Sequence, residues 1–179
     1  MRIQRFDEHR AMPWANGLGT SYEVASDRNV DGVWTWRVAI APVVLDGPFS
    51  VMPGVDRELV VIEGNGMVLE VDGESVKCLP GQLVRFSGDS ATCAQLVDGP
   101  VVDLGLMTVR GVVTGSMVVV ADVGDVVESA VLVAIGDAVF EDENGRQYRL
   151  GSRDALLGVR GYPLVLLGGM AVAIQVNSE

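Results

Sequence analysis

A chain of 179 residues, 49% of them hydrophobic, can bury a core of its own, either as one domain or as two small ones packed together. Its 24 acidic residues against 13 basic ones give a formal net charge of -11, which disfavours nucleic acid and anionic membrane surfaces as partners. A small anionic ligand would need arginine side chains that act locally against this field.

The two ends of the chain indicate neither export nor membrane insertion. The first ten residues, MRIQRFDEHR, carry charges where a signal peptide has its apolar run. The most apolar stretch, residues 155–176, is interrupted by Arg160, Pro163 and several glycines. Cys78 and Cys93 lack CxxC spacing and lie among Val and Leu residues, which predicts buried, reduced thiols in a cytoplasmic protein.

A glycine-rich segment, residues 13–20, precedes the first clear strand. It has neither the GxGxxG spacing nor the lysine of a phosphate-binding loop. Asn16 offers an amide to a ligand and Trp14 a flat apolar wall, or both residues serve only the turn and its packing. The only histidine, His9, lies in a polar segment before it, and we expect it at the surface. Because no cluster of His, Cys, Asp and Glu is apparent, we predict no metal site and no cofactor.

Period-two alternation between turn residues then continues along the chain and predicts an all-β protein. The 22 glycines and 7 prolines divide the sequence into short runs in which valine dominates, and helical periodicity is hard to find. The predicted strands are WTWRVAIA, ELVVIEG, GMVLEVDG, ESVKCLPG, GQLVRFSG, ATCAQLVDG and VVDLGLMTV.

The first of these strands carries an arginine among small side chains. One phase of WTWRVAIA holds the two tryptophans, and the other places Arg37 between Thr35 and Ala39. If that phase faces a barrel interior, there is room beside the guanidinium group for a carboxylate. If it faces water, Arg37 is a solvated strand residue, and the alternation alone favours neither outcome.

A second arginine, Arg57, follows two turn signals and directly precedes ELVVIEG. Turns that crowd a strand end commonly line the mouth of a barrel. Arg57 could therefore clamp a ligand, or it could form an ion pair with Asp56, Glu58 or Asp103.

The chain also contains an internal repeat. The matched segments are residues 60–84 with 132–156 and residues 94–107 with 164–177, displaced by 72 and 70 positions. The match superposes Asp72-Gly73 on Asn144-Gly145, and both dipeptides are typical of tight hairpins. We predict two β-units, residues 1–110 and 111–179; the alternative is a chance agreement between two valine-rich segments.

The two copies differ in charge on one strand. In VVDLGLM, Asp103 lies on the phase opposite to Val102 and Leu104, and the second copy has Ala173 at the position of Asp103. A charge present in one copy only suggests a first unit that binds and a second that is mainly structural. The alternative is that Asp103 simply points to solvent.

Taken in order, these residues resemble the HutD/Ves family. The matching residues are Pro13-Trp14, Asn16-Gly17, Gly19-Thr20, Glu23, Trp36-Arg37, Ile40-Ala41, Gly47-Pro48-Phe49-Ser50, Pro53-Gly54, Asp56-Arg57, Gly64, Phe86, Gly88-Asp89, Asp98-Gly99, Asp103-Leu104 and Met107. As an ordered set this is specific, although each short motif alone is not, and the last third of the chain matches only as a degenerate repeat.

The resemblance implies a bicupin, two cupin-like (jelly-roll) β-barrels without a catalytic metal. Proteins of this family are associated with bacterial histidine breakdown and are thought to moderate the pathway by binding an intermediate such as formimidoylglutamate or urocanate. Carried over by position, the ligand-binding residues would be Asn16, Arg37, Phe49, Ser50, Arg57 and Asp103, with Trp14 and Trp36 in the pocket wall. This chain has Gly105 where relatives commonly have Asn, so the identity of the ligand does not transfer.

We therefore expect a regulatory protein that binds a small anionic metabolite and has no catalytic residue. The alternative is a metal-free isomerase or hydrolase that acts on a small carboxylate with Asp103 as general base. A third class, an interaction module without a pocket, leaves the difference between the two copies unexplained. Self-association into a homodimer through a strand edge stays open.

Overall fold

The computed structural model describes residues 1–14, 17 and 19–178, with Ser178 described by its backbone alone. This part of the chain is almost entirely antiparallel β-structure, with a single 3-10 turn at Phe6–Glu8, and none of its helices is long and apolar enough to span a membrane. The strands are β1 Arg2–Gln4, β2 Arg10–Pro13, β3 Thr20–Arg28, β4 Trp34–Val43, β5 Gly47–Pro48, β6 Val55–Glu63, β7 Met67–Val71, β8 Glu74–Cys78, β9 Leu83–Ser87, β10 Thr92–Leu96, β11 Val101–Val109, β12 Val113–Val120, β13 Val126–Val127, β14 Val131–Asp142, β15 Gln147–Leu150, β16 Ala155–Leu157 and β17 Leu164–Ser178.

The chain divides into two compact units. The first unit is built on Arg10–Thr114, and the second on Met1–His9 together with Gly115–Asn177. All seven strands predicted from the alternation are present, as β4 and β6 to β11. The prediction of an all-β protein is therefore confirmed.

The first unit contains two antiparallel sheets with a common core. One sheet has the order β2-β3-β4-β11-β6-β9 and the other β5-β10-β7-β8. Side chains from both sheets meet in one apolar cluster, in line with the period-two alternation of each strand. Its buried members are Val43, Leu59, Val61, Met67, Leu69, Cys78, Val84, Ala94 and Val101.

The central strands of the six-stranded sheet determine which side chains share a face. β11 pairs with β4 on one side and with β6 on the other, so that residues 102–108 of β11 each have a partner on both neighbours. Since side chains alternate between the two faces, three rows of side chains point the same way. The rows are Ala41, Asp103 and Val61; Ala39, Gly105 and Leu59; and Arg37, Met107 and Arg57.

The second unit is built on a seven-stranded sheet of order β1-β16-β14-β17-β12, to which β13 and β15 are added at the sides. Its core contains large, fully buried side chains, among them Phe140, Leu132, Leu156, Leu164 and Leu166. The N-terminal strand β1 belongs to this unit because Arg2–Gln4 pairs with Ala155–Leu157.

The two units share an order of strand pairing. β6 pairs with β9 and β11 in the first unit, as β14 pairs with β16 and β17 in the second. The pair Val61 and Asp103 corresponds to the pair Leu132 and Ala173, both with their side chains toward the core. In this register, a residue of β6 corresponds to the residue of β14 that lies 71 positions later, one position fewer than in the gap-free sequence match. The difference matters because a shift of one residue exchanges the two faces of a strand. The duplication itself remains a prediction.

The two matched hairpins differ in length. Asp72 and Gly73 both have positive φ, of 49° and 88°, as a two-residue type I′ turn requires. In the second unit, the amide of Asp142 donates to the carbonyl oxygen of Arg146 at 3.0 Å, which closes a three-residue loop. Only Gly145 has positive φ there.

Two single-residue predictions are wrong. His9 is not at the surface: it is 6% exposed, and its Nε2 donates to the carbonyl oxygen of Arg153 at 3.0 Å. Cys93 is exposed although Cys78 is buried as expected. In β10 the side chains of Thr92 and Ala94 point to the core, which leaves the intervening Cys93 on the solvent side.

Candidate functional site

A cavity of about 320 Å³ lies in the first unit against the inner face of the six-stranded sheet. Its wall combines the rows of β4, β11 and β6 with residues 48–52 and residues 12–14 at the end of β2. The lining residues are Met12, Pro13, Trp14, Ser21, Arg37, Ala39, Ala41, Val43, Pro48, Phe49, Ser50, Val51, Met52, Arg57, Asp103, Gly105 and Met107.

Small residues on the sheet account for the space. Ala39, Ala41 and Gly105 occupy adjacent positions on β4 and β11. A Cβ atom added at Gly105 would come no closer than 4.0 Å to the carbonyl oxygens of Ala39 and Glu58, so nothing in the backbone excludes a side chain at this position. The absence of a side chain at Gly105 therefore enlarges the cavity.

The guanidinium group of Arg57 packs against two aromatic rings that also contact each other. Its Cζ lies 5.1 Å from the ring centre of Phe49 and 5.0 Å from that of Phe86, and its Nη1 donates to the carbonyl oxygen of Ser50 at 3.3 Å. Burial lowers the pKa of Arg57, an effect that the negative charge of Asp103 opposes. Contacts with two rings and one carbonyl oxygen restrict the orientation of the guanidinium group.

Arg37 lies on β4, which is separated from β6 by β11, and its guanidinium group contacts two thioether sulfurs and an indole ring. Its Nη2 lies 3.4 Å from the sulfur of Met107 and its Nη1 3.9 Å from that of Met12, and its Cζ lies 5.1 Å from the ring centre of Trp34. Its Nε is buried, and no group in the described residues accepts a hydrogen bond from it. Thioether sulfurs are poor acceptors, so Arg37 retains donor capacity for a ligand.

Asp103 is the acidic residue of the cavity wall. It is 5% exposed, and none of residues 1–14, 17 and 19–178 donates a hydrogen bond to its carboxyl group. Burial raises the pKa of Asp103 from 3.8 to about 7, although the positive charge of Arg57 favours the ionised form. The carboxyl group of Asp103 therefore changes its protonation state near neutral pH.

Two aromatic side chains, Trp14 and Phe49, form part of the cavity wall. The indole Nε1 of Trp14 donates to the hydroxyl oxygen of Ser21 at 2.7 Å, which fixes the plane of the indole ring. Phe49, which lines the cavity, contacts the ring of Phe86 at a centroid distance of 6.3 Å. The site can therefore surround the apolar part of a ligand while the arginines bind its charged part.

The structure brings most of the residues predicted from the sequence into this cavity. Those that line it are Trp14, Arg37, Phe49, Ser50, Arg57 and Asp103. Asn16 lies outside the described residues. Trp36 is half-buried and does not belong to the lining, since it follows the opposite phase of β4 from Arg37.

Two of the three acids that were alternative partners for Arg57 form ion pairs with other arginines. Arg110 contacts Asp56 at 2.6 Å, and Arg85 contacts Glu58 at 2.8 Å. Among the residues that were not anticipated are Met12 and Met107 of the lining and Phe86, which contacts Arg57 from outside the lining. Met107 follows Asp103 and Gly105 at every second position of β11, so the sequence alternation could have placed it on the same face as Asp103.

The second unit contains a smaller cavity, of about 190 Å³. It is lined by Glu128, Ser129, Ala130, Arg160, Gly161, Gln175, Val176 and Asn177. In the described part of the chain, no group of three or more His, Cys, Asp and Glu side chains is close enough to hold a metal ion.

Comparison with known proteins identifies relatives along most of the chain. The family model of HutD matches residues 6–173. An uncharacterised 21.2 kDa protein in the hutC 3′ region of Pseudomonas putida is 36% identical over 110 residues, 60% of this chain and 57% of that protein. Protein Ves of Citrobacter koseri is 35% identical over 106 residues, 56% of each chain. The matches thus span little more than half the length of these curated relatives.

Solved structures extend the likeness to the whole fold. A conserved protein of unknown function from Pseudomonas aeruginosa PAO1 is 28% identical with a TM-score of 0.84, covering 99% of this chain and 98% of its own. HutD from Pseudomonas fluorescens SBW25 is 27% identical with a TM-score of 0.83, over the same shares. A cupin 2 conserved barrel domain protein from Leptotrichia buccalis, 9% identical, has a TM-score of 0.56 over 88% of each chain. The fold is therefore cupin-like.

Proposed function

The chain belongs to the HutD family, and we propose that it is a metal-independent regulatory protein that binds a small anionic metabolite in the cavity of its first unit. One observation carries this proposal: Arg37 and Arg57 both line a cavity whose remaining wall is largely apolar. Two guanidinium groups in such a setting are suited to a carboxylate, because each can donate two parallel hydrogen bonds to it.

The physical properties of the cavity support a small ligand. At about 320 Å³ it falls at the lower end of the range of ligand pockets, which fits a metabolite better than a large cofactor. Desolvated arginine–carboxylate pairs provide discrimination as well as affinity, since a ligand without the carboxylate would leave the donors of Arg37 and Arg57 unpaired.

The names of the relatives support a role in histidine utilisation. One relative is described by its position in the hutC 3′ region, and a solved structure of similar fold is named HutD. We therefore propose that the ligand is an intermediate of histidine breakdown, such as formimidoylglutamate or urocanate, and that its binding moderates the pathway.

A thermal-shift screen of the metal-free protein tests this proposal. The compounds are urocanate, formimidoylglutamate, histidine, glutamate and glutarate, each measured on the wild type and on Arg57→Ala. A ligand at about 100 times its Kd stabilises the folded state by roughly 2.7 kcal/mol, which a melting curve resolves. We expect one of the compounds to raise the Tm of the wild type and to leave that of Arg57→Ala unchanged.

Arg149→Ala is the matched control, because Arg149 is an exposed arginine of the second unit that contacts Gln147. This variant should respond to the ligand as the wild type does. If none of the compounds shifts the Tm of the wild type, or if Arg57→Ala responds equally, the cavity is not the binding site for this class of ligand and the proposal fails.

A second candidate function is a metal-free isomerase or hydrolase. It is favoured by Asp103, whose pKa near 7 suits a general base and whose carboxyl group lines the cavity. Asp103→Asn distinguishes the two functions: an enzyme would lose turnover of the bound compound while retaining binding. A binding protein has no turnover in either form, as product analysis by NMR after prolonged incubation would reveal.

A further inference from the structure

Asp103 lies in the inner part of the proposed binding cavity, where its neighbours are apolar. In its row on the sheet it is flanked by Ala41 on β4 and by Val61 on β6. The arginines lie two rows away, on either side of Met107, with Gly105 in the row between. A ligand whose anionic group contacts Arg57 would therefore extend over Gly105 toward Asp103.

We propose that the ligand enters this cavity together with one proton from solvent, which is held on the carboxyl group of Asp103. The inference rests on the proposed function, since it concerns the same site. It assigns Asp103 as a hydrogen-bond donor to the ligand and makes the affinity of the protein dependent on pH.

The charges around Asp103 give the reason. Among the described residues, Arg57 on β6 is the cation that stabilises the ionised carboxyl group, and Arg37 on β4 is the other cation of the wall. The thiol of Cys78 on β8 is electrostatically coupled to Asp103, but burial raises the pKa of Cys78 to about 11 and keeps it neutral. The negative charge of Glu23 on β3 acts on Arg37, whose pKa it raises against the effect of burial.

An anionic group bound to Arg57 cancels the main electrostatic support of the Asp103 carboxylate. The ligand also displaces water from the cavity, and loss of water disfavours the charged form further. Both effects raise the proton affinity of Asp103 when the ligand binds. By linkage, protonation of Asp103 then strengthens ligand binding by the same factor.

The opposite arrangement, an ionised Asp103 paired with a cationic end of the ligand, is less well supported by the wall. An ammonium or amidinium group carries three or four N–H donors, whereas Ala41 and Val61 beside Asp103 offer no side-chain acceptor. A neutral carboxyl group requires only one acceptor on the ligand. The two arrangements predict proton exchange of opposite sign.

Isothermal titration calorimetry of the full chain measures that sign. The titrant is whichever of the five compounds raises the Tm in the screen, at pH 8 in two buffers that differ in heat of ionisation. We expect the buffer dependence of the heat to report the uptake of close to one proton. Above pH 7 the association constant should fall about tenfold per pH unit, and below about pH 6 it should be constant.

Asp103→Asn should bind with an affinity that is independent of pH and without proton uptake, because an amide of the same shape cannot titrate. Glu58→Gln is the matched control: Glu58 is also a buried acid of the first unit, but its partner is Arg85, outside the cavity lining. This variant should take up the proton as the wild type does. If Asp103→Asn does not fold, infrared difference spectra of the wild type should still gain the C=O band of a protonated carboxyl group on ligand binding.

The outcomes separate the two proposals. Binding without proton exchange, or with proton release, overturns this inference and leaves the proposed function intact. Proton uptake that persists in Asp103→Asn also overturns it, because another group then titrates. If none of the compounds binds, the proposed function fails, and this inference fails with it.

Discussion

The two units of this protein share an order of strand pairing but differ in residue type at corresponding positions. When the pair Val61 and Asp103 is laid over Leu132 and Ala173, Asp103 is replaced by alanine in the second unit. The same register places Glu128 at the position of Arg57 and Gln175 at that of Gly105. The first unit thus has an arginine, an acid and an open space where the second has an acid, an alanine and a long side chain. The pairing supplies a similar scaffold in both units. The proposed function assigns the ligand to the first unit, and these three positions are where the two units differ.

The largest effect is expected from the core of the second unit. Phe140 is fully buried in it, and Phe140→Ala should lower the free energy of unfolding by about 4 kcal/mol, from lost burial and the cavity left behind. Phe49→Ala, at a half-buried position in the first unit, should cost roughly 1 to 2 kcal/mol and weaken ligand binding. Denaturant unfolding measures both, and equal costs would mean that the two interiors are equally important for stability.

Asp103 should make the stability of the protein depend on pH. Its pKa is 3.8 unfolded and about 7 folded, so the folded state binds more protons between these values. Stability is then lost as the pH rises from about 4 to about 7 and is constant above, with a total loss of up to roughly 4 kcal/mol.

Asp103→Asn should remove this loss and be more stable than the wild type at pH 8, with the advantage shrinking as the pH falls toward about 4. Denaturant unfolding across this range checks it. A wild type and a variant whose stabilities run parallel with pH would contradict a raised pKa for Asp103.

Arg57→Ala should weaken ligand binding by on the order of 100-fold, since truncation of one partner of a buried charge pair typically costs 2 to 5 kcal/mol or more. Glu128→Ala, at the corresponding place in the second unit, should leave affinity unchanged. Titration calorimetry with the ligand found in the screen measures both, and a comparable loss in Glu128→Ala would place binding in the second unit as well.

The smallest effect on stability is expected from Gly105→Gln, which gives the first unit the residue of the second at this position. The free energy of unfolding should change by less than about 1 kcal/mol, because a Cβ atom at this position makes no close contact. Affinity should fall about tenfold as the side chain occupies the cavity, with a smaller loss for Gly105→Ala. Unchanged affinity in Gly105→Gln would show that the ligand does not reach this part of the wall.

Seven of the 17 strands in the described residues, β4 and β6 to β11, could be predicted because each is a run of strand length that ends near turn residues. The register could not be predicted as well: a gap-free match of the two copies displaces β6 by one residue and exchanges its two faces. His9 shows a second limit. Its charged neighbours indicate a surface segment, but it is buried by contacts with Arg153, 144 residues away in the chain.

For the candidate site, the sequence identified both arginines but not their surroundings. The alternation within β4 left the direction of Arg37 open, and only the pairing with β11 places it on the cavity side. Phe86 stacks on Arg57 because the two residues are directly opposite each other on β6 and β9. Such a contact depends on register between strands, and a single sequence carries no local signal for it.

The unequal exposure of the two cysteines gives this protein a built-in attachment point for a spectroscopic probe. Cys78 is buried and its thiol is neutral, whereas Cys93 is exposed on β10, where it pairs with Pro48 of β5. A maleimide dye should therefore react at Cys93 alone. Its partner Pro48 directly precedes Phe49 of the cavity wall. The unmutated protein could in this way be converted into an optical sensor for its own ligand.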